Sequence, residues 1–165
     1  RFLLVAAQNP CPCGYAGDAE RECRCLPSDR QRYERRISGP LRDRIDLHVA
    51  VPRVPVLQVH QSAGVQPLTT VQAQAMIVRA REFAAARFSA LGVSTNAEIS
   101  WRNLRQVVAM TSEAGQFLAS ALDHYKLSAR AYHRLLRVAR TIADLSAARS
   151  ITTEHVAEAL QFREV

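Results

Sequence analysis

The spacing of apolar positions changes along this chain, and the change divides it. Phe2-Leu3-Leu4-Val5-Ala6-Ala7 is continuously apolar and stops at Asn9-Pro10, the pattern of a central strand in a parallel sheet. Residues 47 to 51 alternate, with Leu47, Val49 and Val51 against His48 and Ala50, which predicts a second short strand. Between the two runs a helix is expected around Ser28 to Ile37, with Ser28 as its cap. Prolines, Gly64 and Ser62 make the stretch from Pro52 to Pro67 an irregular connector.

Beyond the connector the spacing becomes helical. From about Thr70 to Leu91, residues Ala73, Met76, Ile77, Ala80, Phe83, Ala84 and Leu91 share a face, and Gly92 follows as a C-terminal stop. Further helices are expected over Trp101 to Met110, Ser112 to Tyr125 and Ser128 to Leu145. A last one starts near Thr152, capped by its hydroxyl, and ends near Phe162. At about 100° per residue, Tyr132, Leu135, Leu136, Ala139, Ile142 and Ala143 fall on one side of the Ser128 helix. Arg130, Arg134, Arg137 and Arg140 fall on the other. Such a stripe is either a solvated face or a cationic surface, and for the last three arginines the solvated face is the default. Arg130 differs, because a cation in a first turn opposes the helix dipole. That placement hints at an anion held at the helix start.

Charge sharpens the partner class. The 165 residues carry 22 Lys+Arg against 15 Asp+Glu, a net charge of +7, and Lys126 is the only lysine. Arginine grips phosphate through a planar fork, so nucleotide or nucleic acid fits the excess, as does a merely solvated arginine-rich surface. The opening apolar run is too short to span a membrane and carries no cleavage-site pattern. No membrane association is expected, the cytoplasm is the expected location, and the chain reads as entering a domain at its middle.

Cys11, Cys13, Cys23 and Cys25 form two Cys-x-Cys pairs nine residues apart. Four thiolates describe a closed, structural zinc site rather than a catalytic one with a free position. The pairs are tighter than the common two-to-four residue gap, so disulfides and plain reduced thiols stay open as alternatives. Pro10, Pro12, Gly14 and Gly17 bend the loop in advance and lower the entropy lost in closing it. Downstream, Ser38-Gly39-Pro40 forces a turn and Asp43-Arg44-Ile45-Asp46 leads into the strand at Leu47. An arginine fixed at a strand edge suits transition-state charge stabilisation; the plain alternative is an ion pair of Arg44 with Asp43 or Asp46. Trp101, the one tryptophan, reads as a packing anchor, and His124, His133 and His155 as partner-bonded or solvated helix residues.

Taken together, these motifs resemble the Mg-chelatase-like AAA+ ATPases of the ComM/YifB type. The resemblance rests on Phe2 to Gly14, on Cys23-x-Cys25, on Ser38-Gly39-Pro40-Leu41 and on Asp43-Arg44-Ile45-Asp46-Leu47-His48. It continues through Leu127 to Arg134, Val138 to Leu145 and Glu154 to Gln161, and is weakest from Val54 to Thr69. It implies an α/β remnant of a P-loop NTPase core over 1–53, a connector over 54–69 and an all-α C-terminal lid over 70–165, mostly α overall. It implies that Asn9 is the sensor-1 residue orienting the attacking water and that Arg44 is the arginine finger reaching a neighbour's ATP. Arg130 becomes the sensor-2 arginine of the lid. ATP and Mg2+ are the implied substrate and cofactor, a hexameric ring the implied assembly, and DNA branch migration in natural transformation the implied work.

Two departures qualify the likeness. Arg42 stands where an apolar residue is usual and competes with Arg44 for the finger role. The chain also contains no Gly-x-x-x-x-Gly-Lys-[Ser/Thr] and no apolar strand ending in paired acids, so the 165 residues alone are expected not to hydrolyse ATP. A zinc-stapled nucleic-acid-binding module without enzymatic activity and the ATPase subunit of a true magnesium chelatase remain the alternatives.

Overall fold

The computed structural model describes residues 3–42, 44–52 and 68–163. Two compact units are present, Arg1–Arg44 with Ala50–Ala63, and Ile45–Val49 with Gly64–Val165.

In the first unit, α1 spans Pro27–Glu34 and α2 is the single turn Gly39–Arg42. Ser28 is not the cap. Helix α1 begins one residue earlier because Pro27 occupies a first-turn position, where its fixed φ suits the helix and its missing N–H leaves nothing unsatisfied. Ser38-Gly39-Pro40 makes a helical turn rather than a bend into a strand: the N–H groups of Leu41 and Arg42 both donate to the Ser38 carbonyl, at 3.0 and 3.1 Å. Neither expected strand is present among the described residues. Leu3, Leu4 and Val5 are exposed. A strand makes no hydrogen bonds within itself and needs neighbours about 4.8 Å away; among the described residues the segment has none. The stretch around Leu47 fares likewise. Among the described residues, the His48 N–H donates to the Phe162 carbonyl at 2.9 Å, in the second unit with it.

The second unit is helical. Helix α3 spans Thr70–Leu91, α4 Trp101–Val107, α5 Ser112–His124, α6 Ala129–Leu145 and α7 Thr153–Gln161, with a 3-10 turn at Asn96–Glu98. Each start has a chemical cause. Thr69 and Gln72 form a reciprocal capping box, with the Gln72 N–H donating to Thr69 Oγ1 and the Thr69 N–H to Gln72 Oε1. Ser100, Thr111 and Ser128 accept from the backbone three residues on. At α7 the Thr152 N–H donates to His155 Nδ1 at 3.0 Å, and His155 Nε2 lies 3.0 Å from Ser146 Oγ. His155 is therefore a capping residue. Gly92 ends α3 with φ at 63°, a conformation that costs glycine no Cβ clash, and the Val93 N–H closes back on the Phe88 carbonyl.

The core joins α4 to α7: Leu104, Leu118, Leu135, Leu136, Ala139, Ala143, Val156 and Ala159, with Ile99 and Ile151 from the connections. A two-residue parallel bridge, Met110 to Ile151, ties the start of α5 to the approach of α7. Helix α3 packs against α6 but buries only Ala84 fully. The rest of its expected apolar face is half-covered or, at Ile77 and Phe83, exposed.

The arginine stripe of α6 is not a solvated face. Arg134 donates through Nη1 to the Ile45 carbonyl at 2.9 Å, and Arg137 through Nη2 to the Ile99 carbonyl at 2.7 Å. Arg140 is 1% exposed; its Nε donates to Asp144 Oδ1 at 3.1 Å and its Nη1 to the Arg149 carbonyl at 2.8 Å. Its Nη2 reaches the Ala148 carbonyl. On the helical projection Arg140 lies beside Leu136, at the margin of the apolar arc, which is why packing covers it. Asp144 also binds Arg87 of α3, and its Oδ2 accepts from Asn96 Nδ2 at 2.8 Å. One carboxylate thus joins α3, the 3-10 turn and α6. Removing one partner of a buried pair leaves an uncompensated charge, worth about 3–5 kcal/mol. Asp144→Ala should accordingly lower the stability of the chain by about 3–5 kcal/mol in urea unfolding; an unchanged midpoint would contradict this role.

Candidate functional site

The chemistry-bearing residues of the first unit lie on irregular chain. Turns put Gly14 and Gly17 at φ of 84° and 80°, where a side chain would be strained. The Gly14 N–H donates to the Cys11 carbonyl at 3.0 Å and the Ala16 N–H to Cys11 Sγ at 3.3 Å, folding the loop around that sulfur. Cys11 is fully buried, and Cys13, Cys23 and Cys25 are half-buried. All four are free thiols, and all four sulfurs lie within 4.8 Å of one another. The separations are 3.4 Å for Cys11–Cys13, 3.7 Å for Cys11–Cys23 and 3.6 Å for Cys13–Cys23. Four sulfurs at 2.3 Å from a tetrahedral zinc would stand about 3.8 Å apart. The cluster therefore has a spacing that suits a metal ion, and no disulfide joins the four sulfurs.

The thiols divide in acidity. Cys13 is drawn down to about 6, first by the backbone N–H of Tyr15. Cys25 is pushed up to about 12, first by desolvation and then by its bond to Cys13. One thiol thus ionises readily while another holds its proton, as expected where several thiols crowd together.

Asn9 is exposed, two residues before Cys11, in chain without regular structure. Arg44 is exposed just after α2, not at the edge of a strand. Its N–H donates to the Leu41 carbonyl at 3.0 Å and its Nη1 to the Pro40 carbonyl at 2.5 Å, so the α2 turn steadies both ends of the residue. Arg42, its competitor, is half-buried. Arg130 belongs to the second unit, exposed in the first turn of α6, and its side chain makes no hydrogen bond or ion pair among the described residues. The structure brings the four cysteines together; Asn9, Arg44 and Arg130 are each presented to solvent.

Sequence reasoning missed a second cluster. Trp101, at the start of α4, stacks on His133 of α6 with ring centroids 3.9 Å apart and planes 33° apart. The Arg105 guanidinium carbon lies 5.6 Å from the Trp101 ring centre. Desolvation, helped by the charge of Arg137, lowers the pKa of His133 and favours its neutral ring. The spacing of Trp101 and Arg105, one helical turn, was visible; the approach of His133 needed the tertiary fold.

Comparison with known proteins agrees with the motifs on these surfaces. The family profile described as magnesium chelatase, subunit ChlI C-terminal, matches residues 68–163, and that of magnesium chelatase, subunit ChlI, matches residues 1–59. The chain belongs to the magnesium chelatase ChlI family. Among its relatives it is 38% identical over 164 residues to the competence protein ComM of Haemophilus influenzae, covering 99% of this chain and 31% of that one. It is 38% identical over 168 residues to the protein YifB of Escherichia coli, covering 100% and 31%. A Mycobacterium tuberculosis protein is 40% identical over 164 residues, covering 99% and 32%. The chain spans about a third of the length of these relatives. No helix among the described residues is long and apolar enough to cross a membrane.

Proposed function

We propose that this chain supplies the sensor, finger and lid parts of an ATP-driven AAA+ motor that works on DNA as a hexameric ring in the cytoplasm. Residues 1–53 are the end of its α/β core, 54–69 the connector and 70–165 the lid. The observation that carries this reading is Arg44. In a chain of this family it stands exposed at the end of a one-turn helix, steadied by the Pro40 carbonyl and free to reach outward. An exposed, braced guanidinium suits charge developing on a γ-phosphate held by a neighbouring subunit. Asn9 orients the attacking water, and Arg130 meets the phosphates from the lid. The magnesium-binding acids and the phosphate-cradling loop belong to parts of the full-length protein outside these 165 residues, so the chain alone does not turn over ATP.

The cysteine cluster fits zinc on its own geometry. Cys11, Cys13, Cys23 and Cys25 would hold it, and the ion would brace the loop between Asn9 and Arg44.

The name of the family favours a second reading, metal insertion into a porphyrin. The likeness to a competence protein, the four-cysteine loop and the net charge of +7 favour DNA. ATP hydrolysis by the full-length protein separates them. It should rise when branched DNA is added and stay flat with a porphyrin; the opposite pattern would hand the function to chelation.

A further inference from the structure

Trp101 does not behave as a buried anchor. It stays 43% exposed while His133 covers part of its ring, and Arg102 and Arg105 beside it on α4 are exposed as well. On α6, Arg130 precedes His133 by one turn and is exposed too. An open indole backed by a second ring, with guanidinium groups around it, is the composition of a surface that takes a flat base together with its phosphate.

We propose that Trp101, braced by His133 and flanked by Arg105, with Arg102 next to it in the chain, is a stacking platform for a phosphate-bearing nucleobase. The base lies on the exposed part of the indole, and the arginines meet the phosphate. Two sources offer that chemistry, a single-stranded nucleic acid and a free nucleotide. Stacking requires no ATP turnover, so the platform is tested separately from the motor reading.

Because Trp101 is the only tryptophan of the 165-residue chain, its fluorescence reports directly on its surface. At low salt, a short oligothymidylate and ADP are titrated separately. Quenching by the oligothymidylate alone identifies a single strand as the occupant, and quenching by ADP alone a free nucleotide; both outcomes support a base platform. Trp101→Ala should weaken binding of the quenching ligand, followed with a labelled form, roughly tenfold or more. Arg105→Gln, which changes an exposed residue and leaves the fold intact, should weaken it less and flatten its salt dependence. Absence of quenching by either ligand at low salt overturns the proposal, as does full affinity in the folded Trp101→Ala chain.

Discussion

Arg44→Ala in the full-length protein should lower ATP turnover about a thousandfold while leaving the oligomer intact. A guanidinium that meets the transferring phosphoryl group only in the transition state contributes to the rate and little to nucleotide binding. A thousandfold corresponds to about 4 kcal/mol of barrier. The turn geometry explains why the loss should be specific. Arg44 sits at the end of α2 with its side chain on the Pro40 carbonyl, and its removal takes away no buried contact. Arg44→Lys should recover only part of the rate, since an ammonium lacks the planar fork. Arg42→Ala should stay within a few-fold of the parent in turnover, because a half-buried neighbour is poorly placed to leave its own subunit. Turnover of Arg44→Ala close to that of the parent would remove Arg44 from the finger role.

The second large effect concerns the cysteines. The purified chain should carry about one zinc per molecule. Replacing Cys25 by serine should abolish tight retention and make the loop from Cys11 to Cys25 susceptible to protease. The pH dependence follows from the thiols. A metal binds thiolates, so protons compete with it, and affinity falls as pH drops. Cys25, pushed up to about 12 without metal, must release a proton for the site to close at neutral pH. Binding should therefore release protons, and the metal should leave progressively on acidification. A metal-free chain with four reactive thiols and an unaltered protease pattern would refute the site.

The helical second unit was largely legible from sequence and the first unit was not, for physical reasons. Helix α3 satisfies its own backbone and carries its own boundary signals, Thr69 and Gln72 at its start and Gly92 at its end, so its ends agree with the pattern residue for residue. A strand has no such autonomy. Phe2 to Ala7 has the composition of a buried strand, yet among the described residues nothing pairs with Leu3, Leu4 or Val5. Arg140 shows what grouping the four arginines as one stripe conceals. The projection sets it about 40° from Leu136, and with the carboxylate one turn on at Asp144 that position places it in the core. Arg87 lies 57 residues from Asp144 in sequence, and no local pattern announces that pair. The cysteines were legible as a cluster because chain length alone confines them; the approach of all four sulfurs to within 4.8 Å of one another was not.

The most direct test of the motor account mixes two inactive full-length proteins, one carrying Arg44→Ala and the other lacking the lysine of its phosphate-binding loop. In a head-to-tail ring, an Arg44→Ala subunit keeps its own ATP site and borrows the finger of a neighbour. An equal mixture should then recover about a quarter of parental turnover, the chance that an intact site meets an intact finger in a randomly assembled ring. No recovery from mixed rings would contradict a finger that acts across the subunit boundary.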